Sequence, residues 1–242
     1  MSFRSKLASV GTAAALTTAA NLATSVYLHR ALTHRALRVR PAADRGFRSV
    51  LWLTTGIDRR EWVAVHRRHH AKLDTELDPH SPALLGWRRV LLANVALYRK
   101  AAADTEMVER YTRDLPPDHL DRTVFRSGLA GLGVTTVVLG RLLGGRRAAA
   151  IMAAHIVAYV AGGGLINGVT HTFGDRPHDN SATNVQLLAW LIAGEGLHNN
   201  HHHRPTAANF AFAEGEVDPG WWLIRSLEQV GMAEVRSVSV PA

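Results

Sequence analysis

Residues 7–35 read LASVGTAAALTTAANLATSVYLHRALTHR. From Leu7 to Leu28 no side chain is charged. At about 1.5 Å per residue, a helix of that length crosses a bilayer core of about 30 Å. Arg4 and Lys6 precede the run and small residues fill it, which also fits a secretory signal peptide. The run ends on His29-Arg30 instead of a cleavage site, and that favours a retained span. Beyond it come Arg30, Arg35, Arg38, Arg40, Arg45, Arg48, Arg59, Arg60, Arg67 and Arg68. Such a density of arginine beside an apolar run marks the cytoplasmic side.

Working outward, residues 127–140 and 148–166 are apolar and are joined by a turn with Arg141, Gly144, Gly145, Arg146 and Arg147, the pattern of a helical hairpin. Residues 47–57 and 185–193 are too short to span and read as interfacial or re-entrant helices. Residues 106–126 are charged, contain Pro116-Pro117 and read as a cytosolic connector, whereas residues 221–230 follow a turn at Asp218-Pro219-Gly220 with helical spacing. The expected fold is all-α, a single domain over residues 1–242. It is an integral membrane bundle of about three to four transmembrane helices, with spans near 7–28, 124–143 and 148–166. A helical cytosolic cap, near 29–123 and 167–242, carries the chemistry. A mean hydropathy of −0.04 is low for a membrane protein and requires about half the chain to lie in that cap.

Composition narrows the chemistry. The chain has no cysteine, which excludes disulfides, Cys-bound zinc, iron–sulfur clusters and thiol nucleophiles. A formal net charge of +8 favours an acidic partner. Nucleic acid is set aside, because the arginine stretch lacks interleaved aromatics and the first span would have to be soluble. Histidine is the anomaly, at 14 residues, most of them clustered.

Four segments hold the clusters: His29 to Arg35; His66-Arg67-Arg68-His69-His70, followed by Asp74, Asp78, Pro79 and His80; Asn167 to His171; and Gly194 to His202. In the second and fourth, histidines fall at i, i+3 and i+4, one face of a helix. Asn167 and His171, four apart, share a face as well. Zinc is satisfied by about four ligands, so nine histidines with one asparagine suit two metals and a bound water. His80, His119, His155, His178 and His203 stand outside the pattern and read as solvated surface groups.

HRALTHR at 29–35, EWVAVHRRHH at 61–70 with DPHSP at 78–82, NGVTHTFGDRP at 167–177 and GEGLHNNHH at 194–202 together resemble the membrane-bound fatty acid desaturase family, in its acyl-CoA desaturase branch. The likeness runs from about residue 26 to 235 in the same order. It implies a membrane-embedded base, a cytosolic cap and a di-iron centre. The implied ligands are His29, His34, His66, His69, His70, His171, His198, His201 and His202, with Asn167 reaching one metal through water. One span precedes His29 here where the family usually has a hairpin, so a preceding helix is missing or is replaced by a partner. Ala64 and Val65 stand where acyl-CoA enzymes of the family tend to carry charge. The acyl carrier therefore stays open among CoA, acyl carrier protein and phospholipid.

The resemblance implies desaturation. Removing hydrogen from an unactivated methylene needs an oxidant beyond any side chain or redox-inert zinc, so two iron ions with O2 are expected. Asp74, Asp78, Glu195 and Asn199 are candidates for orienting imidazole N–H groups, and Trp62 for walling an acyl tunnel. The carboxylate-rich di-iron architecture of soluble desaturases needs paired Glu-x-x-His motifs, and only Glu195-x-x-His198 is present. With no cluster-binding cysteine and no nucleotide fingerprint, electrons are expected from a separate ferredoxin-like or cytochrome-type donor, an acidic one suiting the basic cap. A hydroxylase of the same fold and a non-enzymatic metal-binding membrane protein are the alternatives.

Overall fold

A computed structural model describes residues 3–236. Residues 237–242, which the expected cap includes, lie outside the described ones, as do residues 1–2. The described residues are mainly helical, with connecting loops and one two-stranded ribbon. In order come α1 (Phe3–Ala23), a π-helical segment (Thr24–Thr33), β1 (Leu37–Val39), α2 (Pro41–Thr54), α3 (Arg59–Ala71), α4 (Pro82–Leu85), α5 (Trp87–Ala102), α6 (Thr105–Tyr111), α7 (His119–Arg122), α8 (Gly128–Leu143), α9 (Gly145–Gly168), a 3-10 turn (Val169–His171), α10 (Gln186–Leu191), α11 (His198–His203), α12 (Pro219–Gln229) and β2 (Ala233–Val235).

Local chemistry starts and stops these elements. Asp58 caps α3 by accepting from the amides of Arg60 and Glu61, and Asp218 caps α12 from Trp221, with Pro219 in the first turn. Asp118 and Asp121 form a reciprocal capping box on the short α7. Gly144, at φ 89°, turns the chain from α8 into α9. The ribbon is antiparallel, pairing Leu37 with Val235 and Val39 with Ala233, and so ties the first histidine segment to the tail.

Helix α9 is the hub, packed against α1, α5 and α8, while α2 bridges α1 and α8. Small residues permit the close approaches. A Cβ at Gly131 would sit 2.1 Å from Trp52 O, and one at Gly164 would sit 2.6 Å from Leu91 O. The largest apolar cluster, with Tyr27, Leu28, Leu37, Leu51 and Ile224 at its centre, sits where the π segment, β1, α2 and α12 meet.

Among the described residues one helix is long and apolar enough to cross a membrane, Gly145–His171, with mean hydropathy 1.8. Helix α1 has 21 residues but is rich in Ser, Thr and Ala and less apolar. Helix α8 has 16, about 24 Å at the usual rise. Three to four spans are therefore not established by helix length and composition. Helix α5 was not anticipated: its apolar run, 90–98, is bracketed by Arg88, Arg89, Arg99 and Lys100, and it lies along α9 through Leu91 and Asn94.

Candidate metal centre

The first histidine pair explains the π winding. His29 and His34 are five residues apart, which in an α-helix turns them about 140° away from each other. In the π segment the backbone closes i to i+5, His34 N–H donating to His29 O at 3.1 Å, and the Thr33 hydroxyl adds a side-chain bond to Leu28 O at 2.8 Å. Both rings then face the same pocket. Arg67 of α3 closes the end of the segment by donating to Leu32 O (2.7 Å) and Thr33 O (3.2 Å).

Helix α3 contributes His66, His69 and His70, α11 contributes His198, His201 and His202, and the turn after α9 contributes His171. They assemble in two groups. His29, His34, His66, His70 and His201 form one, and His69, His171, His198 and His202 the other, with the ligand nitrogens of each within 4.8 Å of one another. The groups adjoin, since the ring of His70 stacks on that of His202 at 4.4 Å.

Whether these residues fit a pair of cations is decided by their nitrogens. His201 Nε2 faces both His29 Nε2 (3.0 Å) and His70 Nε2 (2.9 Å), and His198 Nε2 faces both His171 Nε2 (3.1 Å) and His202 Nε2 (3.2 Å). A ring nitrogen offers one proton or one lone pair in its plane, so it satisfies one such neighbour and not two. Lone pairs converging on a shared cation remove the conflict. With metal–nitrogen bonds of about 2.1 Å, ligands at right angles stand about 3.0 Å apart, the spacing found here. The buried His34 and His69 Nε2 atoms have no hydrogen-bond partner. Burial, reinforced by neighbouring imidazoles, holds His34, His66, His69, His198, His201 and His202 well below the ordinary histidine range, and His70 at about 3. They are thus neutral near pH 7, as metal ligation requires. The residues fit two ions.

Two of the four polar candidates touch a ring nitrogen. Glu195 Oε2 lies 2.7 Å from His29 Nδ1, and Asp78 Oδ1 lies 2.9 Å from His69 Nδ1. Burial alone would raise the Glu195 carboxyl, but His29, Arg30 and Ser25 outweigh it and hold it below the usual carboxylate range. The other two are engaged elsewhere. Asp74 accepts from the Ser81 side-chain hydroxyl at 2.8 Å, and Asn199 pins the 178–182 loop through the amide of His178 and the carbonyls of His178 and Ala182. Asn167, one α-turn before His171, donates to Asn94 Oδ1 at 3.3 Å. Trp62 lies flat on His66, centroids 5.0 Å apart.

Two histidines read as solvated are buried. The ring of His80 is stacked on His69 at 4.4 Å, because Asp78 Oδ1 accepts the His80 amide and turns the chain back on itself. Its Nε2 is buried without a partner. The Asp-Pro-His turn directly after the second box was the available signal. His155 is fully buried in α9, between Thr17 Oγ1 (3.0 Å) and Thr54 O (2.7 Å), because an imidazole inside an apolar helix must find partners on its neighbours. His119 and His203 are exposed, and His178 is half-buried, stacked on His203.

The helical scaffold gathers nine imidazoles into two adjoining all-nitrogen groups, a donor set that could hold metal ions. Its sequence matches the family model for fatty acid desaturase over residues 6–215. An acyl-CoA C20 Delta5-desaturase of Anemone leveillei is 29% identical over 232 residues, 90% of this chain and 70% of that one. Delta-9 acyl-lipid desaturase 1 of Arabidopsis thaliana is 31% identical over 224 residues, 89% and 71% of the two chains. The sn-1 stearoyl-lipid 9-desaturase of Anabaena variabilis is 29% identical over 187 residues, 72% and 63%. The chain belongs to the fatty acid desaturase family, whose members are oxidoreductases.

Proposed function

We propose that this protein is a membrane-bound fatty acyl desaturase that introduces a cis double bond into an acyl chain, with two iron ions as cofactor, O2 as co-substrate and two electrons from a separate donor. The observation that carries the reading is the convergence of His201 and His198 Nε2, each on two further Nε2 atoms, in a family of desaturases. His29, His34, His66, His70 and His201 would hold one ion and His69, His171, His198 and His202 the other, with Asn167 reaching an ion through water. The iron pair, once bound, supplies the oxidising power that side chains lack. In balance, a CH2–CH2 unit, O2, two electrons and two protons give CH=CH and two waters.

The protein's own part is positional. Asp78 accepts the Nδ1–H of His69, and the Glu195 carboxylate, 2.7 Å from His29 Nδ1, favours a proton on that nitrogen, so that each Nε2 is turned inward. Trp62 holds the plane of His66. Close burial of His29, His69, His198 and His201, each at most 1% exposed, keeps water from the reacting centre. Relatives named for acyl-CoA and for acyl-lipid substrates match about equally, so both carriers belong in the assay. The bundle spans a membrane with the metals on the cytoplasmic side.

The test is to load the full chain with iron, supply a ferredoxin or cytochrome donor, and offer labelled acyl-CoA, acyl carrier protein and phospholipid in parallel. New double bonds with matching O2 uptake are expected. A hydroxylated product would move the reading to hydroxylation, and bound zinc or nickel with no O2 uptake would make the chain a metal-binding protein without this activity.

A further inference from the structure

Two of the six tryptophans, Trp190 and Trp222, are exposed, at 50% and 54%. They meet edge to face at 5.5 Å, joining α10 to α12. Leu187 and Leu191 of α10 are exposed beside them, at 67% and 62%. Four large apolar side chains open to water on one face are costly in a soluble setting.

Two contacts fix the level of this face along the bundle. Asn21, near the end of α1, donates to Leu191 O at 3.2 Å. The side chain of Ile192 lies 3.5 Å from where a Cβ at Gly162 would be. Along α9, Gly162 stands about 22 Å beyond Arg147, which marks the opposite boundary, inside a core of about 30 Å. The face therefore begins in the upper third of the hydrocarbon, approaching its metal-side edge, and lies below the metal-binding histidines. Tryptophan, with an apolar ring and one N–H, is the side chain suited to that boundary.

We propose that Leu187, Trp190, Leu191 and Trp222 insert into the headgroup boundary of the leaflet on the metal side, so that α10 and α12 anchor the cap to lipid. The inference rests on the membrane embedding proposed above. The anchor is mechanically close to the site: Ser25 lies 2.9 Å from Ala193 O and 2.5 Å from Glu195 Oε1, and Glu195 holds His29. Lipid depth and the first metal group are thus joined through one short loop.

The experiment places the full iron-loaded chain in phosphatidylcholine vesicles with bromine near the headgroup end or the methyl end of the acyl chains. Bromine near the headgroup is expected to quench the tryptophan emission more strongly, and the Trp190→Phe/Trp222→Phe variant to lose most of that difference. Flotation with the vesicles reads membrane embedding separately. Flotation with unchanged quenching in the variant overturns the anchor alone, and failure to float overturns the embedding and the anchor together. Should the double variant misfold, Trp190→Cys, the single thiol in this chain, is labelled with a fluorophore instead. Quenching of that label by headgroup-proximal spin-labelled lipid supports the anchor, whereas disulfide-linked dimers at this position assign the face to a second copy and overturn it.

Discussion

At the scale of single residues, the two carboxylates and the buried imidazoles carry the sharpest expectations. Glu195→Gln and Asp78→Asn should each lower the affinity for the proposed metal about 10–100-fold, because a neutral amide no longer favours Nδ1–H on His29 or His69. Metal content after dialysis against a graded chelator measures this, and unchanged retention would show that the carboxylates do not orient ligands. Acid has a definite sign. Unfolded imidazoles titrate near about 6.5, whereas burial holds His70 at about 3 and His80 at about 4. Between those values the unfolded chain takes up protons that the folded chain refuses, so stability rises with pH. The metal-free protein should be most stable above about pH 7 and lose stability steadily as pH falls from about 6.5 toward 4. Thermal melts across that interval test it. Much of this site could be read from residue spacing, since i, i+3 and i+4 on α3 and α11 present three rings to one side. His80 escaped because its burial depends on a turn made by Asp78, and His155 because its partners, Thr17 and Thr54, lie on other helices.

At the scale of elements, the join between the π segment and α12 is a buried ion pair. Arg30 donates to Asp218 at 3.0 and 2.9 Å with both side chains 0% exposed, and its guanidinium lies 3.8 Å over the Phe210 ring. Removing one partner strands the other charge, so Asp218→Ala should cost about 3–5 kcal/mol. Arg30→Met with Asp218→Asn, which keeps a side-chain oxygen for the amides of Trp221 and Phe210, should recover most of it, and chemical denaturation of the two variants separates a stranded charge from lost packing. A second join is set in charge at the other side of the cap. Arg48 and Arg59 grip Asp118 and Asp121 of α7, turning the 106–126 connector into a docked brace. The sequence marked that stretch as charged and turn-rich but not which arginines it meets, since the partners are about 60–70 residues away. Helix α5 was hidden for a related reason: its apolar run is short, and its packing depends on glycines of α9.

At the scale of the whole molecule, the nine histidines proposed as ligands come from four separate segments, so a metal bound there would cross-link α3, α11, the π segment and the end of α9. A ligand that binds only the folded form adds about 2.7 kcal/mol when present at 100 times its dissociation constant. If the histidines hold metal as proposed, stripping it should lower the melting temperature and broaden the transition. Restoring it should reverse the change, and a melt indifferent to metal would deny that ions cross-link the fold. The class of protein was legible because four motifs kept their order along the chain, which the family match over residues 6–215 supports. The number of spans was not, since a helix such as α1 mixes Ser and Thr with Ala, and its apolarity falls short of its length. One earlier detail bears on how such a chain can change over generations. The wide winding of residues 24–33 makes His29 and His34 neighbours only while four residues lie between them. Leu32 can be exchanged for another apolar residue with little consequence, but inserting or deleting a single residue there swings one imidazole out of reach. What is inherited at this point is a count of residues more than their identity.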